Sequence, residues 1–175
     1  DYWKATCAAQ QEVVDTISLM SGCPRDKIAL GIDGCGVPVF AVPLKNMALS
    51  FLRLACPDLI CRSDLADAAV RLGEANTAYP LMIRGTGSID SLINSDPNLI
   101  AKSGRFGVYC IGFRRERLGA AIKIDDGDDG HLPVILAAIL RKIGYDNSAL
   151  LGEIDQLHNH GKILSDNGMV VGICE

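Results

Sequence analysis

The sequence predicts an α/β fold in which an antiparallel sheet carries helices on its faces. Apolar residues recur at helical spacing in Gln10 to Ser21 and in Leu44 to Ala55. Residues 106–113 and 118–124 are rich in β formers, and the charged run Arg114-Arg-Glu-Arg117 between them is short enough for a hairpin. A last β-rich segment, 169–174, is expected to join these two in one sheet.

Taken in order, Val13, Val14, Ile17 and Met20 form the apolar stripe of a first helix, stopped by Gly22-Cys-Pro24. Lys27 to Ile32 is a short strand entering a glycine-rich loop, and Val39 to Val42 an apolar extension leaving it. Leu44, Ala48, Phe51, Leu52 and Ala55 give the next helix a buried face, and Pro57 requires its end. Another helix runs from about Ser63 to Ala78. Pro80 opens a short helical turn, Arg84-Gly-Thr-Gly87 breaks it, and Ser88 caps a helix over Ile89 to Asn94. Beyond the two central strands, Pro133 sits in the first turn of a helix whose face is Val134, Ile135, Ala138, Ile139 and Ile143. Ser148 to His158 gives a shorter helix. No repeat, low-complexity tract or linker divides the chain, so 1–175 reads as a single domain.

Apolar residues make up 49% and charged residues 22%, the balance of an ordinary globular protein. A net charge of −4 offers no attraction for phosphates, so nucleic acid is not an expected partner. No apolar run reaches the roughly 20 residues of a membrane span, and Asp1-Tyr-Trp-Lys4 does not resemble a signal peptide. A cytoplasmic location is expected. The seven cysteines contain no Cys-x-x-Cys pair, and Cys110 and Cys174 stand among apolar residues, so most read as reduced and structural.

The densest chemistry lies in Gly31-Ile-Asp-Gly-Cys-Gly-Val-Pro-Val-Phe-Ala-Val-Pro-Leu44, where Asp33 and Cys35 stand among three glycines. Glycine permits a sharply turned backbone and close approach of another group. On spacing alone, Asp33 is a loop aspartate bonding its own backbone beside a buried cysteine. Together with Gly85-Thr-Gly-Ser88, Leu99-Ile-Ala-Lys-Ser-Gly104, Gly107-Val-Tyr-Cys-Ile111 and Leu118-Gly-Ala-Ala-Ile-Lys-Ile-Asp-Asp-Gly-Asp128, this block resembles the asparaginase II family, the Rhizobium-type L-asparaginases. The five blocks occur in the expected order and correspond to the second half of a family member.

The resemblance implies a β-lactamase-like architecture and hydrolysis of L-asparagine to L-aspartate and ammonia. It places Lys102 on a catalytic lysine that partners a serine, and Asp33 in the same pocket. A partly desolvated lysine can act as a general base. Substrate contacts are implied at Gly34, Thr86 and Ser88. Cys35 corresponds to a zinc ligand of some members, whose other ligands come from a segment not found in these residues. Zinc is therefore expected to bind weakly. Asp125, Asp126, Asp128 and Asp129 lack the spacing of a calcium loop and read as a solvated turn, and the three histidines carry no metal spacing. Lys123 reads as a strand lysine ranking below Lys102.

No Ser-x-x-Lys pair and no Gly-x-Ser-x-Gly elbow occurs in the 175 residues. The chain is therefore expected to be an incomplete amidohydrolase, inactive alone, completed by a missing N-terminal half or associating as a homodimer. The alternative is a non-catalytic amino-acid-binding or interaction module of the same fold. Asp33, Cys35 and Lys102 are expected to meet in one cleft.

Overall fold

A computed structural model describes residues 1–173 of the chain. Cys174, expected to be buried at the end of the last strand, lies outside the described residues. The elements run α1 (Ala8–Ser21), β1 (Ala29–Ile32), β2 (Pro38–Ala41), α2 (Leu44–Ala55), α3 (Ser63–Ala78), α4 (Leu81–Arg84), α5 (Ile89–Asn94), β3 (Leu99–Ser103), β4 (Val108–Phe113), β5 (Leu118–Lys123), α6 (Leu132–Lys142), α7 (Ser148–Leu157), β6 (Lys162–Leu164) and β7 (Val170–Ile173). The α/β class and the helix-flanked antiparallel pairing agree with the sequence reading. Two compact units arise, one from Asp1–Glu74 with Cys110–Ile122, the other from Ala75–Tyr109 with the chain from Lys123 onward.

In the first unit α1 ends at Gly22, whose φ of 66° is the left-handed conformation that closes a helix. Its last carbonyls are then met from α2: Arg53 Nη1 donates to Leu19 O at 2.5 Å and to Met20 O at 3.0 Å, and Asn46 Nδ2 to Ser21 O at 2.8 Å. Helix α2 lies directly on the β4–β5 hairpin. A Cβ added at Gly112 would stand 2.2 Å from Phe51 O, and one at Gly119 2.1 Å from Ala48 O. Two strand glycines thus let the helix backbone touch the sheet, an approach that any side chain would prevent. The β1–β2 hairpin pairs Ala29 with Ala41 through Ile32 with Pro38, and its strand β1 is exposed along its whole length.

β3, in the second unit, is the edge strand of the sheet ordered β3-β4-β5. An unpaired strand edge needs other partners for its backbone groups. Helix α5 supplies them by side chains. Buried Asn94 donates to Ala101 O at 2.8 Å and accepts from Ala101 N at 3.0 Å, and buried Asp90 accepts from Ser103 N at 2.6 Å. These two residues stand four apart, one turn on the same helix face. A second buried network joins Asp96 to Tyr145 Oη at 2.7 Å and to Asn147 Nδ2 at 2.9 Å. Leu99, Ile100, Ala101, Leu136, Leu140 and Ile154 are fully buried in this unit's core.

Three expectations are corrected. Of the segment 169–174, the described residues 169–173 do not join the central sheet: β7 pairs with β6, because Ser165 N donates to Met169 O and Gly168 N to Ser165 O, closing a local turn. The third central strand is Leu99–Ser103 instead. The strand expected from 106 starts at Val108, since Phe106 and Gly107 have φ of 56° and 71°. Gly107 N donates to Asp129 Oδ1 at 2.8 Å, so one aspartate of the acidic run anchors this turn. Finally, α6 buries Leu132, Leu136, Ala137 and Leu140, not the face read from the sequence. A helix apolar on nearly every side carries no periodicity from which to choose.

Candidate active site

The turn between β1 and β2 holds Asp33, Gly34 and Cys35. Asp33 N donates to Val37 O at 3.0 Å, Gly36 N to Asp33 O at 2.8 Å, and Gly34 N to Asp33 Oδ1 at 2.8 Å. Gly36, at φ 80°, makes the reversal possible. All three predicted residues are exposed, and Cys35 Sγ stands 3.8 Å from Asp33 Oδ2. Cys35, expected to be buried on spacing alone, is thus a surface thiol.

These residues do not make a zinc site by themselves. A zinc ion takes four ligands, of which at least three come from the protein. The turn presents one thiol and one carboxylate, and among the described residues no three His, Cys, Asp or Glu side chains are grouped to hold a metal.

Lys102, Thr86 and Ser88 lie in the second unit. Lys102 belongs to β3, which continues through Ser103 because Asp90 takes up the Ser103 amide. Its Nζ donates to Ser103 O at 2.8 Å and to Ser103 Oγ at 3.3 Å, and stands 3.8 Å from Asp90 Oδ1. Arg84, the last residue of α4, donates from Nη1 to the same Ser103 Oγ at 2.6 Å and lies 3.5 Å from Asp90 Oδ2. Asp90 is fully buried, while the Lys102 and Arg84 side chains are 51% and 46% exposed. One buried carboxylate therefore holds two cationic heads at the surface, both on one hydroxyl.

Sequence reasoning missed Arg84, Asp90 and Ser103. The adjacency of Lys102 and Ser103 was visible, but an aspartate early in a capped helix looks like ordinary first-turn acid. Only the packing of α5 on β3 shows that it is buried.

Ser88 caps α5 as predicted, accepting from Ser91 N at 3.2 Å, while Ser91 Oγ donates to Gly85 O at 2.7 Å. Thr86 is exposed between Gly85 and Gly87, both with positive φ. A cleft of about 390 Å³ opens beside this cap, lined by Leu81, Ser88, Ser91, Leu92, Glu153 and Gln156 among others. Its size and mixed lining suit a small polar molecule.

A lysine beside a serine, with an arginine and a buried carboxylate, can stabilise developing negative charge and carry a proton. The sequence model of the family described as L-asparaginase II matches residues 1–175, the whole chain. The chain belongs to that family. No curated protein matches it. No helix among the described residues is long and apolar enough to cross a membrane.

Proposed function

We propose that this chain is the amidohydrolase module of an L-asparaginase, converting L-asparagine and water to L-aspartate and ammonia. The family assignment supports a small amide substrate. The observation that carries the reading is the half-exposed Lys102 amine, 3.3 Å from the Ser103 hydroxyl and fastened beside buried Asp90. In this reading Lys102 moves a proton from its charged form: the lysine of the Ser-x-x-Lys pair takes the proton of the attacking hydroxyl as the C–O bond forms, and Lys102 gives one to the departing nitrogen as the C–N bond breaks. Lys102 then takes a proton from the water that cleaves the acyl ester, and the hydroxyl is restored from the other lysine as aspartate leaves. Asp33 contributes from the β1–β2 turn, Gly34, Thr86 and Ser88 contact substrate, and Cys35 offers one zinc ligand to a site whose other ligands lie elsewhere.

The attacking hydroxyl comes from a Ser-x-x-Lys segment outside these residues, which contain none. Exposed apolar side chains support association with that segment or with a second copy: Leu30 and Ile32 on β1, Val171 and Ile173 on β7. The test is ammonia release from L-asparagine by the purified chain, alone and mixed with a polypeptide carrying a Ser-x-x-Lys segment of the family, with sedimentation to follow association. Turnover is expected only in the mixture and is expected to be lost in Lys102→Ala. Binding of L-asparagine without turnover in either case would favour the non-catalytic module. Turnover by the chain alone that survives Lys102→Ala would overturn the assignment of the chemistry.

A further inference from the structure

We propose that Arg84 binds the free α-carboxylate of the substrate, so that the site selects amides of free amino acids over molecules whose carboxylate is blocked. The inference rests on the amidohydrolase reading for the identity of the substrate. It rests on geometry for the role of Arg84.

Arg84 is anchored by a single nitrogen. Nη1 holds Ser103 Oγ at 2.6 Å and lies 3.5 Å from Asp90 Oδ2, while Nε and Nη2 make no hydrogen bond among the described residues. A guanidinium fixed at one corner presents its remaining donors as a planar fork, the arrangement that matches the two oxygens of a carboxylate. The Arg84 side chain is 46% exposed and the residue directly precedes the Gly85-Thr-Gly87 turn, so a ligand can approach it from solvent.

Charge argues the same way. Arg84 and Lys102 face one carboxylate, Asp90, which leaves the cluster one positive charge in excess. The α-carboxylate of an amino acid cancels it. Both cationic heads also sit on the same hydroxyl, at 2.6 Å and 3.3 Å, so they are no farther apart than those two distances placed end to end. That separation suits a molecule such as asparagine, whose carboxylate and side-chain amide are joined through two carbons: the carboxylate on Arg84, the amide at Lys102. Asp90 acts as a positioning residue. It is wholly buried, so it holds the two cations without competing for the ligand from solvent.

The experiment titrates the full chain by calorimetry with L-asparagine, with succinamate, which keeps the carboxylate and lacks the ammonium, and with L-asparagine methyl ester, which does the reverse. L-Asparagine and succinamate are expected to bind, and the ester more weakly by roughly tenfold to a hundredfold, the worth of a charged hydrogen-bonded pair. Arg84→Gln is expected to weaken L-asparagine to the level of the ester and to leave the ester unchanged. Should Arg84→Gln lower the melting temperature, Arg84→Lys keeps the charge beside Asp90 but not the fork, and is expected to lose part of the discrimination. Equal affinity for ester and acid, discrimination unchanged in both variants, or no binding of any of the three would overturn the proposal. Carboxylate-dependent binding with no ammonia release under any condition would sink the amidohydrolase reading and leave this one standing. Ammonia release indifferent to esterification and to Arg84→Gln would do the opposite.

Discussion

Asp90 shows how one side chain serves both fold and site. Its Oδ1 accepts the Ser103 amide at 2.6 Å, and Ser103 is buried, so Asp90→Ala leaves that amide without its acceptor and is expected to cost about 1–3 kcal/mol in urea denaturation. Asp90→Asn keeps an oxygen there and is expected to cost less than half as much. Equal losses would show that the hydrogen bond is not what Asp90 contributes. The cysteines divide by the same logic of burial. Desolvation pushes the Cys110 thiol up from 9.0 to about 11, whereas Cys35 and Cys61 are exposed. A thiol-reactive dye at pH 8 is expected to label Cys35 and Cys61 in the native chain and Cys110 only after unfolding. Because the folded state holds the Cys110 proton more tightly than the unfolded one, its contribution is whole below pH 9 and declines as pH rises toward 11. Cys110→Ala is expected to flatten that part of the alkaline stability profile, measured by denaturation at a series of pH values.

At the scale of elements, the contact of α2 with the β4–β5 hairpin depends on two absent side chains. Gly112→Ala and Gly119→Ala each force a methyl group against a helix carbonyl, at 2.2 Å and 2.1 Å before relaxation. Each is expected to lose about 3 kcal/mol, the upper end for overpacking, by chemical denaturation. A loss under about 1 kcal/mol would mean that the helix shifts freely on the sheet. The elements most legible in the sequence were those with a local signal. The helix Ile89–Asn94 and its Ser88 cap appear as read, because the cap is a contact between neighbours in the chain. The β3 edge carries no such signal. Its partners, Asp90 and Asn94, lie on a helix, and polar residues in a six-residue helix look like surface until something covers them.

Across the whole molecule, protection from solvent is uneven. Leu99, Ile100, Ala101, Tyr109, Ile111 and Phe113 are fully buried, whereas β1, β6 and most of β7 are exposed. Native-state hydrogen exchange is expected to be slowest in β3 and β4 and fastest in the β1–β2 and β6–β7 hairpins, since local opening follows the number of buried apolar contacts. Slow exchange in the two hairpins of the purified chain would indicate that another surface covers them, and would be expected to fade on dilution if that surface is a second copy.

The sequence by itself determined the α/β class, the helix boundaries marked by Gly22, Pro57 and Ser88, the Arg114–Arg117 hairpin, and the family, because each is written in residues close together in the chain. It also marked Lys102 and the Asp33–Cys35 turn. What the tertiary structure alone decided was partnership at a distance: that β3 rather than β7 completes the central sheet, which face of α6 is buried, and that Arg84, Asp90 and Ser103 gather around Lys102. Local propensity fixes where a strand or helix begins. Which side chain is then buried, and against which charge, is settled by the free energy of packing surfaces that the chain brings together only when it folds.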